Sequence, residues 1–248
     1  MGEIMLCFRC DEPPFDDVNV RRALTIGTNR DEFRAVEMIP PGMSYVAAPV
    51  ELPGDPSYTP LEELPEDVQI LYEYDTDEAK RLLAEAGYPE GLATRVMVQA
   101  GPVGEDQAAL LKYQWAKIGV ELEIDALESV DYLRARYPLP EPTYHGVMID
   151  QGGCHDPMVY VDIRCYTMGY NNYGAYSNPE MDKLIDPIRV ELDPDEQIRL
   201  FKEITPMVQY EAIRIHLSPY LAGRYWWPWV KNYYGEYGVQ DDAFGVAP

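Results

Sequence analysis

Basic residues are scarce in this chain. Twenty lysines and arginines face 43 aspartates and glutamates, for a formal net charge of −23. Such a surface repels phosphates and argues against nucleic acid as a partner, and against an anionic membrane surface for the same reason. What it favours is a soluble, self-repelling exterior or attraction to cationic ligands. Histidine is scarcer still, with three in 248 residues. There is no HExxH, no GxSxG, no phosphate-binding GxxxxGK[ST] and no GxGxxG after a strand. The expectation is a chain without cofactor or metal, and no enzyme. Long hydrophobic runs are missing too, since none approaches the ~20 apolar residues of a membrane span. Met1 to Cys10 has no basic start, apolar run or small-residue cleavage site, so no secretory leader is visible in this chain.

Cysteine is limited to Cys7, Cys10, Cys154 and Cys165. One CxxC without a second supports a zinc site poorly. A redox CxxC opens a helix, where the dipole lowers a thiol pKa. Cys7 and Cys10 instead end an extended stretch, Ile4 to Phe8. Cys154 and Cys165 have the option of bridging a loop in an oxidising compartment.

What remains is ordinary globular composition, 46% hydrophobic and 25% charged, long enough for a stable core. A first helix is expected after a cap at Asp16 or Asp17. Val20, Ala23, Leu24 and Gly27 lie along its inner side, with Arg21 and Arg22 leaning outward. Asn29 is placed to cap a second, short helix. From Ile39 to Glu73 proline, glycine and acids erase any period, and a long surface loop is expected.

The clearest pattern follows. "DTDEAKRLLAEAG" reads as a helix with Asp75 and Glu78 as a capping box, Ala79, Leu82, Leu83 and Ala86 as its apolar stripe and Gly87 as its stop. "TRVMVQA" reads as a strand. "EDQAALLKYQWAKIG" is a helix with Ala108, Leu111, Trp115 and Ile118 inward. "VELEI" is a strand wet on one face. Together these make a βαβ unit with parallel strands. Ser129 is expected to cap a short helix to about Arg136, and "YHGVMID" to form a buried strand. Asn178 with Pro179, and Asp193 with Pro194 and Glu196, open two further helices. Pro206 is expected to kink or end the last one.

For chemistry, His155 beside Asp156 offers an acid–base pair, which makes a small hydrolase one alternative. Tyr166, Tyr170, Tyr173 and Tyr176 fall in a loop rich in glycine and asparagine. They serve either as packing over the sheet or as a wall for an organic ligand. "RYWWPWV" near the C-terminus is either core or an apolar contact patch. The patch reading makes a structural or interaction domain the other alternative.

The order of phrases adds a resemblance. "PPFDDVNVRRALTIGTNRDEF", "YDTDEAKRLLAEAGYP", "LLKYQWAKIGVELEI", "YSNPEMDKLID" and "WPWVKNYYG" span nearly the whole chain. They resemble the C-terminal half of family 5 extracellular solute-binding proteins, the dipeptide, oligopeptide and nickel-type receptors of ABC importers. The resemblance implies an α/β lobe of the type II periplasmic-binding-protein kind, with a mixed sheet and βαβ units flanked by helices. It implies residues 1–14 as a segment crossing from a first lobe, 15–217 as the second lobe, and 218–248 as an aromatic segment returning toward the first. It implies an extracytoplasmic protein that captures a peptide or similar small solute by closing two lobes, then meets an ABC permease.

In that family a strand followed by W-x-x-D-x-x-D-P brings an acid to the ligand's amino group. Here Met148 to Pro157 reads "MIDQGGCHDP". Asp156–Pro157 matches the last pair, Gly153 stands where an acid is expected, and Asp150 stands where the aromatic lies. Asp150 therefore either serves by a shift of register or caps the strand end. The implied ligand-binding set is Asp150, Gln151, His155, Asp156, Tyr166, Tyr170 and Asn171. A related loop cysteine pair in some members favours a Cys154–Cys165 bridge.

Overall fold

Alternation along the strands decides the architecture. In a computed structural model, which describes residues 3–36, 55–137, 142–152, 157–217 and 229–231, the described strands are β1 (Glu3–Phe8), β2 (Leu92–Gln99), β3 (Val120–Leu127), β4 (Val147–Gly152) and β5 (Arg214–His216). They form one sheet in the order β3-β2-β4-β1-β5. β2 runs parallel to β3 and to β4, while β1 is antiparallel to both β4 and β5. This is the mixed α/β sheet expected from the sequence, and the parallel βαβ unit is in place.

The helices are α1 (Val18–Ile26), α2 (Arg30–Val36), α3 (Glu66–Gln69), α4 (Thr76–Glu85), α5 (Pro102–Ala116), α6 (Ser129–Arg136), α7 (Pro157–Tyr160), α8 (Pro179–Val190) and α9 (Pro194–Tyr210). Ile4, Leu6 and Phe8 of β1, Val96 and Val98 of β2, and Val147 and Ile149 of β4 point to one face. There they join Val20, Ala23 and Leu24 of α1, Leu82 and Leu83 of α4, and Ala108, Leu111 and Trp115 of α5 in the main core. The intervening residues Cys7, Met97 and Met148 point to the other face. There they meet Tyr132 of α6, Tyr144 and Tyr173. A two-residue side-chain period thus supplies a buried surface on both sides of the sheet. A third cluster lies around Tyr160, Tyr176, α8 and α9.

The turn into β2 needs glycine. Gly91 has φ +86°, and a Cβ there would sit 1.9 Å from the Gly119 carbonyl oxygen. Two glycines therefore let the starts of β2 and β3 approach closely.

Several local expectations are corrected. Arg21 and Arg22 do not lean outward; both are buried. Arg21 donates to the carbonyls of Phe15 and Glu211 and pairs with the Glu211 carboxylate at 2.9 Å. Arg22 donates to the Asp67 carbonyl and lies 4.1 Å from the Tyr210 ring centroid. Long guanidinium side chains satisfy buried carbonyls that the helix pattern does not reveal. The described part of the proline-rich loop holds short helical turns, Leu61–Glu63, α3 and Ile70–Tyr72, whose Val68 and Leu71 are buried. Asp75, Asn178 and Asp193 cap their helices as expected. The two capping boxes stay half made, because Glu78 is drawn to Arg81 and Glu196 to Arg199. α6 begins without a side-chain cap, with Glu128 rather than Ser129 at its N-cap. Pro206 does not end α9, which runs on to Tyr210.

Candidate functional site

The loop leaving β2 and the end of β4 open onto a cleft of about 430 Å³. Its position follows from topology. β2 sends its chain to β3 on one side, and β3 sends its chain back past β2 to β4 on the other. Such a reversal of connection between neighbouring parallel strands places a crevice at their carboxyl ends. Residues 98–104 form one wall, Ile149 and Asp150 of β4 another, and Tyr132 and Arg136 of α6 close the side, with Gln107 of α5 also lining the cleft. Gly104 lets the first turn of α5 lie against β2, since a Cβ there would meet the Gln99 carbonyl oxygen at 2.5 Å.

The charged centre of the cleft is one pair. Asp150 is 2% exposed, on the same face of β4 as Met148. Arg136, at the last turn of α6, donates from Nη1 to Asp150 Oδ1 at 2.6 Å. Arg136 Nη2 donates to the Tyr173 hydroxyl at 3.0 Å, and that hydroxyl donates to Asn171 Oδ1 at 2.6 Å. The guanidinium also lies 4.6 Å from the Tyr173 ring centroid and 5.7 Å from that of Tyr137. Tyr132 donates its hydroxyl to the Ile149 carbonyl at 2.8 Å. Burial works against the Arg136 charge, but Asp150 and Tyr173 outweigh it and hold its pKa above the ordinary value. Burial, assisted by Asp150, pushes the Tyr132 phenol well up, so this hydroxyl stays a proton donor.

Behind the cleft, Arg214 of β5 donates to the Asn171 carbonyl at 2.6 Å and to Cys7 Sγ at 3.0 Å. Cys7 is fully buried, and burial pushes its thiol up to about 11 against the opposing pull of Arg214. Among the described residues no group of histidine, cysteine and carboxylate side chains is arranged to hold a metal ion.

Of the expected site residues, the structure brings Asp150 to the cleft. Gln151 follows it in β4, opposite Ile4 of β1. Cys154, His155 and Asp156 lie outside the described residues, as does most of "RYWWPWV", within which Trp229 is exposed. Cys165 is buried with a free thiol. The tyrosines divide. Tyr173 packs beside the cleft, while Tyr176 belongs to the α8–α9 cluster. Tyr166 donates to Asp186 at 3.0 Å, away from the cleft, and Tyr170 is exposed. Asn171 reaches the site only through Tyr173 and Arg214.

Sequence reasoning missed Arg136, Tyr132 and residues 100–104, where β2 turns into the first turn of α5. That turn was within reach, because a βαβ unit places its ligand crevice where the first strand ends. Nothing local marked Arg136.

Comparison with known proteins agrees with this architecture. The family described as "Bacterial extracellular solute-binding proteins, family 5 Middle" matches residues 1–145. Heme-binding protein A of Haemophilus influenzae is 29% identical over 98% of this chain and 44% of its own length. The dipeptide-binding protein of Escherichia coli is 27% identical over 84% of this chain and 38% of its own. Among solved structures, the oligopeptide-binding protein AppA from Bacillus subtilis, in complex with a nonapeptide, superposes with a TM-score of 0.73 at 22% identity, covering 88% of this chain and 44% of that one. The chain spans less than half the length of these curated relatives. With its mixed sheet and its cleft at the ends of β2 and β4, the chain belongs to the bacterial extracellular solute-binding proteins of family 5.

Proposed function

We propose that this chain is a ligand-capturing lobe of the substrate-binding component of an ABC-type importer, acting outside the cytoplasmic membrane on peptides or similar small solutes, without catalysis. The observation that carries the reading is the cleft between β2 and β4, with the Asp150–Arg136 ion pair at its base. The dipeptide-binding and oligopeptide-binding relatives support peptides as the solute class. In this reading residues 15–217 form the second lobe, residues 1–14 enter from a first lobe and residues 218–248 return toward it. The adjacent antiparallel strands β1 and β5 suit that entry and return.

Capture then works by closure. A second wall over the cleft expels water, which strengthens each polar contact to the ligand. One lobe alone offers one wall, so binding by this chain is expected to be weaker than micromolar.

The test is a titration of isotope-labelled chain with a panel of short peptides, followed by amide shifts. Shifts confined to residues 98–104 and 149–150 are expected, with no turnover of any peptide. Shifts elsewhere only, no shifts at all, or hydrolysis of the peptides would overturn the reading. Sub-micromolar affinity in calorimetry would overturn its two-lobe part.

A further inference from the structure

The cleft is lined by one carboxylate and one cation among the described residues, Asp150 and Arg136, and they are bonded to each other. We propose that Arg136 sets the charge of the ligand: it withdraws Asp150 from contact with ammonium groups and turns the cleft toward solutes that present a carboxylate. The inference rests on the capture reading above and adds the ligand class to it.

The geometry fixes Arg136 in this role. Its Nη1 is used by Asp150 and its Nη2 by Tyr173, whose own proton goes to Asn171. The phenol can therefore only accept from Arg136, and the guanidinium plane is held by bonds at two of its three nitrogens. Its Nε is buried without a hydrogen-bond partner. The side chain of Arg136 remains 17% accessible against 3% for Asp150. A ligand approaching through the cleft thus meets the cation more readily than the anion behind it. An ammonium group would have to displace or sit beside the guanidinium, a like-charge contact in a partly desolvated site. A carboxylate meets an arginine already oriented by its partners, the arrangement that guanidinium groups serve best. The chain's net charge of −23 acts the other way at long range. Salt screens that field beyond about 10 Å, so the local pair decides.

The experiment compares two uncharged-side-chain probes by shift titration of the 248-residue chain. N-acetyl-Ala-Ala carries a carboxylate and no amine. Ala-Ala amide carries an amine and no carboxylate. In the unaltered chain the acetylated probe is expected to bind at the cleft about tenfold or more tightly than the amide, the scale of one charged hydrogen bond. Arg136→Lys should keep that order and Arg136→Gln should reverse it. Asp150→Asn, which releases the guanidinium, should widen it. If Arg136→Gln does not fold, the unaltered chain and Asp150→Asn still decide. Cleft shifts with the amide bound equally well or better would overturn the charge assignment and leave the capture reading standing. So would an order unchanged in Arg136→Gln. If neither probe moves a cleft resonance, both readings fail.

Discussion

Trp115 of α5 donates its indole N–H to the Thr28 hydroxyl at 2.9 Å, across 87 positions of sequence. Thr28 in turn donates to the Leu24 carbonyl. One side chain therefore ties the crossover helix of the βαβ unit to the end of α1, inside the main core. Trp115 is fully buried. Trp115→Ala is expected to destabilise the fold by about 3–5 kcal/mol. Trp115→Phe keeps most of the apolar volume and loses the hydrogen bond, so its cost should be smaller. Urea unfolding of the two variants checks the order.

The caps give a second contrast. Asp75 accepts from the backbone N–H groups of Asp77 and Glu78, and Asp193 from those of Asp195 and Glu196. Asp75→Ala and Asp193→Ala should each cost about 1 kcal/mol. Glu78→Ala and Glu196→Ala should cost less than their caps, because those carboxylates pair with exposed arginines instead of closing the box. Equal costs within each pair, measured by denaturant midpoints, would show that the boxes close in solution.

The elements were legible where periodicity is strict. The alternation in "VELEI" located β3, the β-branched content of "TRVMVQA" located β2, and the spacing of Ala108, Leu111, Trp115 and Ile118 located the buried side of α5. Period reports which face is apolar, however, and says nothing of where a long polar side chain ends. Arg21 and Arg22 lie within the run Val20 to Ile26, which is buried throughout, so their guanidinium groups have to find carbonyls inside. Arg136 was invisible for a related reason. Its meaning comes from Asp150, 14 positions on in another element, and the two meet only because β4 lies beside β2. Asp150 itself was marked by the family resemblance, which left its role open.

Arg21 supplies the third prediction. Its side chain is 3% accessible, and it is bonded to the Glu211 carboxylate and to the backbone carbonyls of Phe15, Asp16 and Glu211. Arg21→Met leaves those acceptors and a mostly buried carboxylate without a donor, at a cost of about 3 kcal/mol or more. Glu211→Gln keeps the shape and one acceptor oxygen, so it should cost clearly less. A stability difference in the opposite order would mean that the carboxylate, not the guanidinium, anchors α1.

Alkaline stability is the fourth. Burial raises the thiols of Cys7 to about 11 and of Cys10 and Cys165 to about 12, from an ordinary 9.0. Above pH 9 the unfolded chain releases thiol protons that the folded chain keeps. The folded state then binds more protons, so stability falls as pH rises. The contribution is intact below pH 9 and is lost progressively toward pH 11 to 12. Denaturant midpoints measured across that window should decline, and Cys165→Ala should make the decline shallower. Alkylation of Cys7 and Cys165, both fully buried, should require unfolding below pH 9.

Gly104 reverses an ordinary rule at the rim of the cleft. Replacing a helical glycine by alanine usually stabilises a helix by about 1 kcal/mol. At Gly104 the new Cβ would lie 2.5 Å from the Gln99 carbonyl oxygen. That oxygen belongs to the last residue of β2, so it has no flexible side chain to move aside. α5 has to shift from the strand, at an overpacking cost of about 1–3 kcal/mol. Gly104→Ala is therefore expected to be net destabilising, and to displace the amide resonances of residues 99–104 before any ligand is added. A stabilised variant with unmoved resonances would mean that the first turn of α5 does not lie against β2, and that the cleft has a different rim.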